Sequence, residues 1–115
     1  PLERVPAGTP AAVDANGNAA SPAVGTVSVL QAEVCNDDAT SHTFTYIVQV
    51  KDANGVVVSI NWIQGNTLAA GSCVTPGISW TPGSAGEYTI EIFVWESLSN
   101  AVALSPVSSL TVTAV

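Results

Sequence analysis

The chain has 115 residues, 47% of them hydrophobic and 10% charged, a composition that excludes intrinsic disorder and is sufficient for one domain with its own core. Arg4 and Lys51 are the only cations and the formal net charge is -7, so neither nucleic acid nor an anionic membrane surface, both of which are bound through Lys and Arg, is expected as a partner. No apolar run approaches the ~20 residues of a membrane helix, so no membrane insertion is expected.

The first part of the chain differs in composition from the rest. Residues 1–24 are rich in Pro, Ala and Gly and contain no aromatic residue, which is typical of an extension or a linker, and residues 25–115 form the predicted domain. A weak period of two nevertheless makes part of the extension a candidate β-strand. The residues of this pattern are Val5, Ala7, Thr9, Ala11 and Val13.

The first secure strands lie at residues 26–35 and 43–51. In 26–35 the apolar positions change phase, which predicts a β-bulge near Val29. In 43–51 the alternation is regular and places Ile47 on the outward face. The residues predicted to face the core are Phe44, Tyr46, Val48 and Val50.

The tetrapeptide Asp-Ala-Asn-Gly at residues 52–55 predicts a hairpin turn, because Asn-Gly supplies the positive-φ positions that such turns need. The strand that follows, 56–64, has Val58, Ile60 and Trp62 at core-facing positions by alternation. The same tetrapeptide at residues 14–17 is interpreted as a reused turn. Both copies lack the further oxygen ligands of a calcium loop, so no metal and no cofactor is predicted.

The second half predicts a broken strand at 72–82, a long strand at 86–96 and a last strand at 109–115. In the long strand Tyr88, Ile90, Ile92 and Val94 are predicted to face the core, and the other face carries Phe93 and Trp95. Gly86 before Tyr88 indicates a corner at which the tyrosine hydroxyl bonds back to the preceding backbone. The connection 97–106 is predicted to be anchored by Leu98, Val102 and Leu104.

These elements together predict an all-β fold. No apolar stripe with a helical period runs for three turns, and strands recur at intervals of roughly ten residues with Gly, Pro and Asn between them. The expected architecture is an antiparallel β-sandwich with an extended N-terminal segment.

The sequence resembles the immunoglobulin-like modules of microbial, especially archaeal, surface proteins, including the adhesion-type family called CARDB. The similarity covers residues 26–115 and rests on AEVCNDD, KDANG, GNTLAAGSCVTPGISWTP, GEYTIEIFVWESLSNAVALS and the terminal LTVTA. The resemblance implies an immunoglobulin-like sandwich in which 26–35 is strand B, 43–51 is C, 56–64 is C′, 72–81 is E, 86–96 is F and 109–115 is G.

Two cysteines, Cys35 and Cys73, favour a disulfide in an exported chain, with two unpaired thiols as the alternative. The start at Pro1, without a leader, fits a chain trimmed after export, so an extracellular location at the cell surface is expected. If the strand assignment implied by the resemblance holds, both cysteines point outward from neighbouring strands B and E. The resemblance thus implies a cross-strand disulfide on the outer surface.

No catalytic constellation is apparent, and the chain is predicted not to be an enzyme. A nucleophilic triad would have to use His42, the only histidine, which lies in a predicted turn. Glu87, Glu91 and Glu96 do not form an obvious pair of carboxylates in one cleft.

The favoured hypothesis is a structural subunit that assembles head to tail with copies of itself into a pilus-like filament or a surface layer. Its candidate partner surface is an apolar set on outward positions: Ile47, Ile63, Phe93 and Trp95. The candidate donor strand is Val5, Ala7, Thr9, Ala11 and Val13, added to a neighbouring subunit by β-augmentation. The alternative for this segment is that it folds back as the domain's own first strand.

A second hypothesis is a monomeric adhesion or carbohydrate-binding module. Of the three tryptophans, only Trp95 has the parity of an exposed residue, and a single exposed tryptophan is more often an interface anchor than a sugar platform. A glycan partner is therefore possible but unsupported by the sequence.

Overall fold

The computed structural model describes residues 4–115, and within them the fold is all-β with antiparallel strand pairs. There is no helix in this part of the chain that could cross a membrane. The strands are β1 (Ala11–Val13), β2 (Ser28–Gln31), β3 (Val34–Cys35), β4 (His42–Asp52), β5 (Val57–Leu68), β6 (Cys73–Val74), β7 (Gly77–Trp80), β8 (Gly86–Trp95) and β9 (Ser108–Ala114).

The strands form three sheets. The larger one has four strands in the order β5-β4-β8-β9, so β5 and β9 are its edges. The facing layer consists of a three-stranded sheet, β1-β2-β7, and the two-stranded pair β3-β6. The predicted all-β antiparallel sandwich is therefore confirmed.

The core lies between the layers and is supplied mainly by the alternating inner residues of β4 and β8. Because these strands are direct neighbours, inner residues such as Val48 and Ile92 oppose one another and share a face. Trp80 of β7 closes the core at one end and meets the ring of Tyr88 edge-on, with 4.9 Å between centroids. The buried inner residues of the two strands are Phe44, Tyr46, Val48, Val50, Tyr88, Ile90, Ile92 and Val94.

The predicted bulge near Val29 is wrong. Ser28, Leu30, Ala32 and Val34 are all buried, so a single parity runs through the predicted strand without a phase change. The inward position before Leu30 is filled by Ser28, a polar residue that interrupts the apolar pattern. The strand is instead interrupted after Gln31, where the chain passes from β2 to β3 and changes its pairing partner.

β5 contains two irregularities that change which side chains face the core. Val50 pairs with Ser59 but Lys51 pairs with Val57, so Val58 is an extra residue. A second shift lies between the pairs of Phe44 and Tyr46, beside Gly65, whose φ is 70°. Each β-bulge adds one residue to one strand and so reverses the alternation beyond it.

The prediction that Ile60 and Trp62 face the core with Val58 is therefore wrong. Trp62 pairs with Ile47 and Ile60 pairs with Gln49, which are outer-face residues of β4. Ile63 pairs with Tyr46 and packs against the core.

The connection between β8 and β9 is anchored at one of its three predicted positions. Leu104 is fully buried, whereas Leu98 and Val102 are exposed. The amide of Leu104 donates to the carbonyl of Val94, and the carbonyl of Leu104 accepts from the amide of Val5. This connection is thus bound to β8 on one side and to the N-terminal segment on the other.

The two Asp-Ala-Asn-Gly segments form the same turn. In each, the aspartate carbonyl accepts the glycine amide at 3.0 Å, and Oδ1 of Asp14 or Asp52 accepts two further amides, from Asn16 and Asn18 or from Asn54 and Val56. Gly17 and Gly55 have φ values of 85° and 80°, the left-handed region that favours glycine. The tetrapeptide is a structural turn in both places.

Candidate functional site

The outer face of the four-stranded sheet carries a group of large apolar side chains. Trp62, Ile47 and Phe93 lie in one row across β5, β4 and β8, because each is the direct cross-strand partner of the next. Trp95 follows Phe93 on the same face, with 6.0 Å between their ring centroids. With Ile60, these residues form what we call the outer patch: Ile47, Ile60, Trp62, Phe93 and Trp95.

Exposure differs across the outer patch. Ile60 and Trp62, on the edge strand β5, are 48% and 47% exposed, and Phe93 and Trp95 are partly buried. Ile47, in the centre of the row, is only 2% exposed. The accessible part of the patch therefore lies at the β5 edge of the sheet.

The predicted partner surface coincides only partly with the outer patch. Phe93 and Trp95 lie on the predicted face, and Ile47 lies on it but is covered. Ile63 does not lie on the predicted face, because the bulge at Val58 turns its side chain toward the core. Ile60 and Trp62 were assigned to the core by strict alternation, and no local sequence signal at Val58 marks the bulge that exposes them.

A polar cluster borders the outer patch. Glu91 of β8 accepts hydrogen bonds from Lys51 Nζ and Gln49 Nε2, both at 2.9 Å. The hydrogen bond from Lys51 is the main cause that lowers the pKa of Glu91. Partial burial opposes this effect, and the bond from Gln49 adds a smaller lowering. The only lysine is thus neutralised by an adjacent carboxylate.

The N-terminal segment occupies a slot between β3 and the connection before β9. On one side Gly8 N donates to Glu33 O and Cys35 N to Pro6 O. On the other side Ala7 N donates to Ser105 Oγ, and Ser108 Oγ donates to Ala7 O. The segment is hydrogen-bonded on both sides, as an inner strand of a sheet is.

The side chains of this segment do not follow one simple alternation. Val5 is fully buried, Ala7 packs against the core and Thr9 is exposed. Ala11 and Val13 belong to β1, in which Ala12 is the residue that packs against the core and Val13 is buried opposite Val29. In this structure the segment is inserted into its own chain.

Cys35 and Cys73 form a disulfide that joins β3 to β6. Cys35 is partly buried and Cys73 is exposed, so the bridge lies at the surface. The Glu33 carboxylate lies within 4.8 Å of both sulfur atoms, but oxidised cysteines are not thiolate ligands, so the arrangement has no metal-binding donor set.

The only histidine is engaged in a local contact. His42 Nε2 lies 2.7 Å from Asp38 Oδ2, and this hydrogen bond is the main cause that lowers the pKa of Asp38. The pair spans the turn before β4.

A family model described as SlaA-like, S-layer A-like, matches residues 10–115. The chain belongs to this S-layer A-like family. Membership indicates a structural protein of the cell surface and, in general terms, self-assembly. No curated protein matches this chain in sequence.

Solved structures show the same fold at low sequence identity. A CARDB domain from Pyrococcus furiosus in solution is 18% identical, with a TM-score of 0.67, covering 97% of this chain and 94% of that one. A crystal structure of that domain, described as a complex with di-metal ions, is 20% identical, with a TM-score of 0.62 and coverages of 98% and 90%. The predicted immunoglobulin-like, CARDB-type sandwich is confirmed.

Other similar structures come from proteins of different function. The C-terminal domain of wzt is 9% identical over 92% of this chain and 70% of that one, with a TM-score of 0.70. A glycoside hydrolase family 2 β-glucuronidase is 14% identical with a TM-score of 0.68, but this chain covers only 11% of it. At such identities the similarity concerns the fold alone.

Proposed function

We propose that the chain is a non-enzymatic, extracellular structural subunit that assembles with copies of itself into a filament or a surface layer. The observation that carries the proposal is the outer patch, in which Ile60 and Trp62 are about half exposed on an edge strand. Contiguous apolar surface of this kind marks an interaction site. Copies of the chain are the partner, because the S-layer A-like family is one of self-assembling surface proteins.

Donation of the N-terminal segment between subunits is the assembly contact that we propose. The slot that holds residues 4–8 offers hydrogen bonds from both walls and a core position for Val5. The same slot on a neighbouring copy would make the same contacts with a donated segment. Exchange of identical elements requires no new complementary surface, and head-to-tail exchange that does not close gives a filament. The division into a donor segment at 1–24 and a domain at 25–115 remains a prediction.

The linker between the segment and the rest of the domain favours exchange. Residues 15–21 are exposed. Residues 22–25 are held against the domain by hydrogen bonds, since Val24 N donates to Val115 O and Gly25 N donates to Pro82 O. Fully extended at about 3.4 Å per residue, 14–21 span about 27 Å. The two shorter extents of the molecule are 28 Å and 19 Å, so the linker can reach a subunit that packs alongside.

A pair of engineered cysteines distinguishes donation from fold-back. Ala11 of β1 and Gln31 of β2 are direct cross-strand partners, a geometry in which two cysteines can form a disulfide. In the double variant Ala11→Cys, Gln31→Cys, donation gives a ladder of covalent multimers on a denaturing, non-reducing gel. Fold-back gives a monomer band alone, which would refute donation.

The controls for this experiment are the two single-cysteine variants. Neither can build a ladder, because each subunit then carries one free thiol and links at most two chains. Negative-stain electron microscopy of the parent protein tests assembly itself. Filaments or sheets are expected, and uniformly dispersed monomers at high protein concentration would contradict the proposed function.

A carbohydrate-binding module is the second candidate, favoured by the placement of Trp62. Trp62 and Trp95 lie on one face beside the polar cluster of Gln49, Lys51 and Glu91, and aromatic rings next to hydrogen-bonding groups are suited to sugars. Binding of the monomer to a glycan array, abolished by Trp62→Ala, would favour this function over assembly. An absence of binding by the parent would eliminate it.

A further inference from the structure

The charges of the chain are absent from one side of the sandwich. No Asp, Glu, Lys, Arg or His occurs in residues 53–86, a stretch that contains β5, β6 and β7. β5 and β7 are edge strands of the two facing sheets, and Val58, Trp80 and Thr81 line one groove between them. The uncharged stretch is therefore one side of the molecule, whereas the formal net charge of the whole chain is -7.

β5 lacks most of the features that usually protect an edge strand. Natural edges carry lysines, prolines or inward charges, contain β-bulges that twist the edge away, or are very short, and these features prevent pairing with another chain. β5 has twelve residues, contains no proline or charge, and is paired only with β4 within residues 4–115. Its two β-bulges lie on either side of residues 59–63 and leave that stretch regular and open to pairing. The opposite edge, β9, is partly covered, because Val115 is hydrogen-bonded to Pro22 and Val24.

We propose that β5 pairs with β5 of a second copy, antiparallel and across a two-fold axis, so that two four-stranded sheets become one continuous sheet. This inference deepens the self-assembly proposed above and rests on it. Two acidic molecules that approach through their uncharged sides place no like charges in contact, which is why a second copy fits this edge.

The two bulges of β5 fix the register. The regular stretch between Val58 and Gln64 is centred on Asn61, so the two-fold axis places Asn61 opposite Asn61 of the second copy. In that register Ile60 of each copy opposes Trp62 of the other. Both residues lie on the outer face, so the two outer patches merge into one apolar surface that crosses the junction.

Charges introduced at the axis test this contact. Asn61 is exposed, so Asn61→Lys and Asn61→Asp should fold normally, as judged by circular dichroism and thermal melting. Each variant places two like charges against one another at the two-fold axis, and we expect its dimer dissociation constant to rise by at least about tenfold over the parent. Mixed in equal amounts at low salt, the two variants should restore the dimer, because Lys then opposes Asp.

Sedimentation velocity over a range of concentrations measures these equilibria. Thr111→Lys is the matched control, because it adds the same charge to an exposed position of the other edge strand, β9, and should leave dimerisation unchanged. Pairing through β5 is overturned if the parent has no dimer, if Asn61→Lys dimerises like the parent, or if the mixture of variants does not recover.

The cysteine ladder separates this inference from the proposed function. If the ladder forms while the Asn61 variants behave like the parent, the chain self-assembles by strand donation and β5 pairing is wrong. If neither a ladder nor a dimer forms and no filaments or sheets are seen, the proposed function fails with it.

Discussion

The hydroxyl of Tyr88 donates a hydrogen bond of 2.8 Å to the carbonyl oxygen of Ser84, four residues earlier. The Ser84 hydroxyl lies 3.1 Å from the hydroxyl oxygen of Tyr88. This contact fixes the corner through which the chain enters β8, as the spacing of Gly86 and Tyr88 predicts.

Removing the Tyr88 hydroxyl should weaken the fold. We expect Tyr88→Phe to lower the free energy of unfolding by about 1 to 1.5 kcal/mol, because it leaves the Ser84 carbonyl without its donor. The matched control is Tyr46→Phe. The main chain of Ala32 approaches the buried Tyr46 hydroxyl, but no partner among the described residues meets hydrogen-bond geometry, so its removal should be neutral or slightly stabilising. Urea denaturation of both variants checks the difference, and equal losses would contradict it.

The hairpin turn before β5 depends on the carboxylate of Asp52. Asp52→Ala removes the acceptor of two amides and should cost about 1 kcal/mol of unfolding free energy, whereas Asp52→Asn keeps an acceptor oxygen and should cost less. Thermal melting of the two variants side by side measures this. A loss in Asp52→Asn as large as that in Asp52→Ala would show that charge, not acceptance, matters.

Stability should fall in acid partly through Glu91. The pKa of Glu91 is lower in the folded chain than in the unfolded chain, so its stabilising contribution is present above the ordinary carboxyl range and is lost as the pH falls through the folded-state pKa. Glu91→Gln should be less stable than the parent at neutral pH, by up to about 1 kcal/mol, and should lose less stability between neutral and strongly acidic pH.

Denaturant midpoints at several pH values test this difference. Glu87→Gln, at an exposed position near the start of the same strand, is the control for loss of one negative charge. If Glu91→Gln shows the same acid-induced loss as the parent, the ion pair with Lys51 contributes nothing.

The disulfide should matter for the slot as well as for global stability. Cys35 and Cys73 are separated by 38 positions, and the loop-entropy model assigns such a bridge about 3 to 4 kcal/mol. The double variant Cys35→Ala, Cys73→Ala should lose stability of that order. Amide hydrogen exchange should increase most at Gly8, because β3 forms one wall of the slot. Unchanged protection of the Gly8 amide would show that the disulfide does not stabilise the slot that holds the N-terminal segment.

Regular alternation made most of the fold predictable from sequence. β8 is the best case, since all four residues predicted for its inner face are buried: Tyr88, Ile90, Ile92 and Val94. The periodicity of a strand is a local property of the sequence, so it can be recognised without knowing which strands lie beside it. Leu98 and Val102 were misplaced because burial in an irregular connection has no period and depends on what packs against it.

The candidate site was less predictable. The observed faces of Ile63 and Trp62 are the reverse of the predicted ones. The bulge at Val58 arises from the pairing of β5 with β4, and no local sequence pattern encodes that pairing. The uncharged stretch at 53–86, in contrast, was visible in the sequence, but only the strand order shows that it forms one side of the molecule. Whether a segment is donated is a property of two chains, which a single sequence does not specify.

The bulge at Val58 gives β5 one residue that its neighbour β4 does not match. Deletion of that residue would restore strict alternation between Val57 and Ser59, while Trp62 would still oppose Ile47 and Ile63 would still oppose Tyr46. Deletion of one residue between Ser59 and Trp62 would instead turn Trp62 toward the core side and remove it from the outer patch. The effect of a single in-frame deletion on the outer patch therefore depends on whether it falls at the bulge or beyond it.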